Sequence, residues 1–147
     1  MSVLGALFTG SAAVADTPID LETINAGSGG FVIHGGHSSD HANNNSGLKV
    51  ANAGDVNNDG FDDIIIGAHR SDPNGSGSGS SYVIFGGSGN TTVDLENVED
   101  GIGTRGFAIP GIPTGDASGF SVSGAGDVNG DGEASILDIL FIIANWS

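Results

Sequence analysis

The sequence predicts an all-β fold, on three observations. Short segments rich in β-branched and aromatic residues alternate with Gly, Asn, Asp and Ser, as strands joined by turns do. Glycine supplies 27 of the 147 residues, and much of it recurs in order along the chain, which points to an internal repeat. Nothing before residue 134 reads as a helix.

The repeat is explicit. "IDLETINAGSGGFVIHGG" (19–36) aligns with "VDLENVEDGIGTRGFAIPG" (93–111) at an offset of 74 to 76, and "SGLKVANAGDVNNDG" (46–60) aligns with "SGFSVSGAGDVNGDG" (118–132) at 72. The shrinking offset places an insertion near "HANNN", residues 41–45. Strands are expected near 30–34, 48–53, 62–67, 81–86, 91–95, 106–109 and 120–124, with 136–143 open to either strand or helix. The Gly/Ser run "NGSGSGSS" (74–81) has the composition of a flexible linker, but the repeat continues on both sides, so it reads as a loop inside one unit. The opening "MSVLGALFTGSAAVAD" admits two readings: a remnant of a secretory signal with Ala13 and Ala15 in an A-x-A pattern, though without a basic start, or a strand over 3–8.

Composition removes several function classes. Eighteen acidic residues stand against Lys49, Arg70 and Arg105, a formal charge of -15, which repels a phosphate backbone or an anionic lipid surface and suits cations. No nucleic-acid partner and no membrane insertion are expected, the latter because the longest apolar run, 136–144, is short and contains Asp138. Without cysteine there is no disulfide, thiolate metal site or cysteine nucleophile.

The acids are grouped in a way that gives them a purpose. In "AGDVNNDGFDDIIIGA" (53–68), Asp55, Asn57, Asp59 and Asp63 follow D-x-N-x-D-G-x-x-D, with Gly60 where the loop turns sharply. Oxygens at alternate loop positions, with a backbone carbonyl at the seventh, wrap Ca²⁺, which takes six to eight oxygen ligands. On that reading Asp55, Asn57, Asp59 and Asp63 give side-chain oxygens, Phe61 gives its carbonyl, and Asp62 faces solvent. The loop is not an EF-hand: Ile66 stands where a bidentate Glu belongs, and a strand follows instead of a helix. The second copy keeps Asp127, Asn129, Asp131 and Gly132, but Ser135 takes position nine and Asp138 appears at position twelve. Ile136, Leu140 and Ile143 can then share a helical face with Leu137, Phe141 and Ala144.

Residues 46–68 resemble the FG-GAP repeat of integrin α-subunit heads and of many bacterial surface proteins: a small-residue strand, G-D-x-N-G-D-G-x-x-D, and an apolar strand ending in G-A-P. "SSYVIFGG", "VDLENV" and "GFAIPG" extend the resemblance to about residues 19–132, with Leu48 in place of Phe and His69 in place of Pro. The resemblance implies a β-propeller with a Ca²⁺ loop in each bearing blade. Two units of 72 to 76 residues make a partial propeller, with one complete blade near 46–110 between two incomplete ones, since closed rings take four to eight blades. Further blades or self-assembly would be needed to close it. Residues 126–146 resemble half of a dockerin-like module, which implies Asp127, Asn129, Asp131, the Glu133 carbonyl and Asp138 as ligands. The domain reading is thus FG-GAP repeats over 1–125 and a second calcium loop with a dockerin-like tail over 126–147.

Other constellations are weaker. His34, His37 and His41 lie in a Gly/Ser/Asn loop, and their repeat counterparts are Pro, Pro and Ala, which disfavours zinc. "GIGTRG" (101–106) satisfies G-x-G-x-x-G but no helix is expected after it. No G-x-S-x-G occurs, and the grouped acids are assigned to calcium, so no catalytic residue is nominated. The expected function is a non-catalytic, extracellular or cell-surface calcium-binding module for cell adhesion, or for recognising a protein or polysaccharide ligand. The alternative is a dockerin-like attachment module or an appendage of a secreted polysaccharide-active enzyme.

Overall fold

The computed structural model describes residues 22, 24, 30–35, 49–89, 91–102, 105–128, 130–132 and 135. Among the described residues Glu22 and Ile24 are helical, and the elements with described bounds are β1 (Ile33–His34), β2 (Lys49–Gly54), β3 (Asp63–Ala68), β4 (Ser80–Ile84), β5 (Val93–Asp94), α1 (Leu95–Glu99) and β6 (Gly106–Pro110). The all-β expectation holds in outline. Four strands form an antiparallel sheet in the order β2-β3-β4-β6, and β1 pairs with β5 in a separate two-stranded parallel ladder.

The register follows from the apolar run of β3. Ile64, Ile66 and Ala68 lie opposite Ile84, Tyr82 and Ser80 of β4, and alternate residues of a strand share one face. Ala108 of β6 pairs with Tyr82, which brings it to the same face. Over that face pack Val93, Leu95 and Val98, with Phe31 and Ile33 alongside, and together they make the buried core. Every residue of β4 is buried, because this strand is central and covered on both sides. On the opposite face Phe107 contacts Phe85 with ring centroids 6.1 Å apart.

The helix corrects the reading that nothing before residue 134 is helical, and it shortens the expected strand at 91–95 to two residues. Asp94 caps it, its side chain accepting from the Glu96 amide, and Leu95 and Val98, three apart on one face, are its buried residues. A single turn is too short to display helical periodicity, but the cap and one apolar pair suffice once Leu95 has a core to enter. Arg105 ties the start of β6 back to the loop before β5, donating to the Gly89 carbonyl at 3.4 Å and the Thr91 hydroxyl at 3.2 Å while lying over the Phe31 ring.

The Gly/Ser run is a docked loop, and its last two residues, Ser80 and Ser81, belong to β4. The Ser78 and Gly79 carbonyls accept from the Ser118 and Gly111 amides, and the Gly77 carbonyl accepts from Ala117. Asn74 adds a side-chain bond to the Gly111 carbonyl at 2.8 Å. The expected strand at 120–124 is corrected: the segment forms no ladder among the described residues. Just before it, Ser118 joins Gly79 by an isolated parallel bridge. Beyond it the backbone crosses close over Gly67 at Gly119 and over Asn52 and Ala53 at Gly124, while Phe120 stays 66% exposed with its ring edge-on to His69. Glycine lets two backbones touch without a ladder. The segment 136–143 lies outside the described residues.

Candidate metal centre

The candidate site is the connection between β2 and β3. β2 ends on an irregularity, with Asn52 opposite Ile64 but Gly54 opposite Asp63, so one extra residue bends the strand into the loop. The Asn52 side chain holds that bend, accepting from the Gly54 amide at 2.7 Å.

Within the loop Asp55, Asn57 and Asp59 each accept from backbone amides ahead of them. Asp55 accepts from the Asp59 amide at 3.0 Å on one carboxylate oxygen and from the Gly60 amide at 2.8 Å on the other. Asn57 accepts from the Asp59 amide at 3.0 Å, and Asp59 accepts from the Phe61 amide at 2.9 Å. The Asn57 side-chain amide also donates to Asp59 at 2.9 Å. These bonds wind the backbone so that Asn58 and Gly60 sit at φ of 57° and 90°, and only glycine adopts the latter freely. Asp62 is exposed, as expected, and its carboxylate accepts from the Asn52 side chain at 3.4 Å.

Asp63 differs from the other three. It opens β3, is fully buried, and accepts from the Val56 amide at 2.8 Å and from the Gly86 amide at 2.8 Å, one on each oxygen. The Gly86 contact was not legible in the sequence, because it joins residues 23 apart and no motif marks it.

The second loop repeats the first in backbone detail. Asp127 accepts from the Gly130 amide at 2.6 Å and the Asp131 amide at 3.1 Å on one oxygen, and from the Gly132 amide at 2.8 Å on the other. The left-handed positions also recur at the 72-residue offset: Gly54 and Gly126 at 77° and 69°, Asn58 and Gly130 at 57° and 76°, Gly60 and Gly132 at 90° and 97°. Asn129, Glu133 and Asp138 lie outside the described residues, as do His37 and His41.

The donor chemistry suits a hard cation: carboxylates, an amide oxygen and backbone carbonyls, with no sulfur or imidazole in the loop. Among the described residues no three His, Cys, Asp or Glu side chains are gathered into one metal-holding group. The structure places Asp55, Asn57 and Asp59 on one loop and buries Asp63 at the start of β3. It also assembles something the sequence did not signal. Asp72, Glu99 and Asp100 line one groove of about 650 Å³ with Pro73, Phe107 and Pro110, and Glu99 accepts from the Tyr82 hydroxyl at 3.0 Å. These acids come from two loops and a helix end, so no local spacing reveals them.

An acid-bearing loop within an antiparallel strand pair, flanked by apolar strands, is the class of element the geometry defines. The family model of the FG-GAP repeat matches residues 46–84, which span β2, the Asp55 loop, β3 and β4. No curated protein and no solved structure matches the chain. Among the described residues no helix is long and apolar enough to cross a membrane.

Proposed function

We propose that this chain is a non-catalytic, calcium-binding module of a β-propeller kind, working outside the cell or at its surface, whose sheets present a rigid surface to a protein or polysaccharide ligand in adhesion or recognition. The observation that carries the reading is the duplicated loop. Asp55 and Asp127 each hold the same backbone amides, four and five residues ahead, at the same left-handed turns. Two loops built alike around a leading carboxylate, in a chain of formal charge -15, are suited to two cations. Asp55, Asn57, Asp59, Asp63 and the Phe61 carbonyl would hold one; Asp127, Asn129, Asp131, the Glu133 carbonyl and Asp138 would hold the other. Calcium supplies charge neutralisation and a crosslink between loop positions. The chain's own residues supply the turn and, at the first loop, the anchoring to β3 through Asp63, with Val56 buried behind it.

The FG-GAP match over 46–84 supports this reading, as does the four-stranded antiparallel sheet, which is the size of one propeller blade. FG-GAP repeats occur in extracellular and surface proteins, in keeping with the proposed location. Calorimetric titration of the metal-stripped chain with Ca²⁺ tests the reading. Two ions are expected; no heat at millimolar Ca²⁺ would refute it.

A further inference from the structure

We propose, building on the recognition reading above, that the open edge of β6 takes up an extended, basic segment of another protein as a further strand of the four-stranded sheet. Where β4 and β6 pair antiparallel, the Phe85 amide donates to the Arg105 carbonyl at one end and the Gly111 amide donates to the Gly79 carbonyl at the other. Hydrogen-bonded pairs alternate along such a ladder, so residues 105, 107, 109 and 111 turn their polar backbone towards β4. Gly106, Ala108 and Pro110 turn theirs away, and among the described residues no strand lies beyond β6. The edge therefore offers the amides of Gly106 and Ala108 and the carbonyls of Gly106, Ala108 and Pro110, proline having no N–H.

These same residues line the groove of about 650 Å³, a size common among ligand clefts. Its remaining lining comes from the end of α1 and the loop at 72–74, so a strand laid against β6 would also meet side chains. Main-chain bonds to a sheet edge supply affinity, and the surrounding side chains choose the partner. Here they choose by charge. Asp72, Glu99 and Asp100 line the groove, and none of Lys49, Arg70 and Arg105 does. Asp100 is exposed; Asp72 and Glu99 are half-buried and held in place, Asp72 accepting from the Gly77 amide at 2.6 Å and Glu99 from the Tyr82 hydroxyl at 3.0 Å. A carboxylate accepts more than one bond, and lysine or arginine side chains of an added strand would complement all three acids. A second copy of this chain is a poor occupant, because its formal charge of -15 opposes approach.

Amide NMR of the intact chain in excess calcium, titrated with a short capped peptide of alternating threonine and lysine, tests the docking, with the threonine and glutamate counterpart as control. The lysine peptide is expected to shift the Gly106 and Ala108 amides and to slow their exchange about tenfold, while the glutamate peptide leaves both unchanged. Asp100→Lys, at an exposed position, is expected to weaken the lysine peptide about tenfold. Shifts spread over the acidic surface without protection of Gly106 and Ala108 would overturn the proposal, since general attraction to the acidic chain would explain them. So would silence at millimolar peptide, equal binding of the two peptides, or an Asp100→Lys affinity equal to that of wild type. Calorimetry with Ca²⁺ on the same sample separates the two readings. Edge protection in a chain that gives no calcium heat would remove the calcium reading and leave the docking standing, whereas calcium heat with no response to peptide would remove the docking alone.

Discussion

Gly79→Ala, set against Gly115→Ala, measures how much the docking of the Gly/Ser loop contributes to the fold. Both glycines have left-handed backbone, φ of 75° and 83°, so alanine carries a similar conformational cost at each, about 1 to 2 kcal/mol. Their surroundings differ. A Cβ at Gly115 meets nothing within 4 Å, whereas one at Gly79 overlaps the Ser118 backbone, which cannot give way as a flexible side chain could. Gly79→Ala must therefore push 117–118 off the loop. That movement threatens the bonds from Gly111 to Gly79, Ala117 to Gly77 and Ser118 to Ser78, each worth about 0.5 to 1.5 kcal/mol.

With the backbone cost added, Gly79→Ala should destabilise by about 3 to 5 kcal/mol and Gly115→Ala by about 1 to 2 kcal/mol. Urea unfolding followed by far-ultraviolet circular dichroism gives both numbers from one protocol. Equal losses in the two variants would refute the reasoning, because the crowded site would then cost no more than the open one and the loop would be held by something other than this seam.

Leu95→Ala, at a fully buried helix position, should cost about 2 to 5 kcal/mol through lost burial and the cavity left behind, read as a lower urea midpoint at unchanged slope. Tyr82→Phe removes the hydroxyl bond to Glu99 and should cost about 1 kcal/mol, seen as a fall of a few degrees in thermal midpoint. Asp55→Ala should abolish one calcium site and leave the other, so calorimetric stoichiometry falls from two to one. Saturating Ca²⁺ at a thousandfold excess over its dissociation constant should stabilise wild type by about 4 kcal/mol per site, and a chelator should reverse that shift in the thermal midpoint.

What the sequence revealed and what it hid divide by range. β3 and β4 were expected at 62–67 and 81–86 and lie at 63–68 and 80–84, because their apolar runs are local signals bounded by turn residues. The loop between β2 and β3 was equally plain, since Asp, Asn and Gly shape the backbone through bonds to residues two to five ahead. Residues 120–124 carry strand composition and yet form no ladder, because Gly119 and Gly124 let that segment cross close over other backbone instead. The Gly/Ser run has a linker's composition, but the repeat on both sides marked it as a loop inside one unit, and its residues do dock against 111–118. Composition reports what a backbone is free to do, and the neighbour decides what it does.

In the proposed recognition surface the loop would be a preformed part. A hairpin whose acids were held apart only by mutual repulsion would order when a cation arrived and fall apart when it left. Here Asp55, Asn57 and Asp59 are already engaged with backbone amides ahead of them, and Asp63 anchors the base to two further segments. A cation would then meet oxygens whose backbone is in place, so little ordering entropy would be left to oppose binding. Because β3 is paired on both sides, to β2 and β4, rigidity gained at the loop would pass into the central strands, where Ile66, Tyr82 and Ile84 are already packed. Calcium would thus tighten the hairpin at its mouth, and the sheet beneath it would keep its shape whether or not the ion is bound.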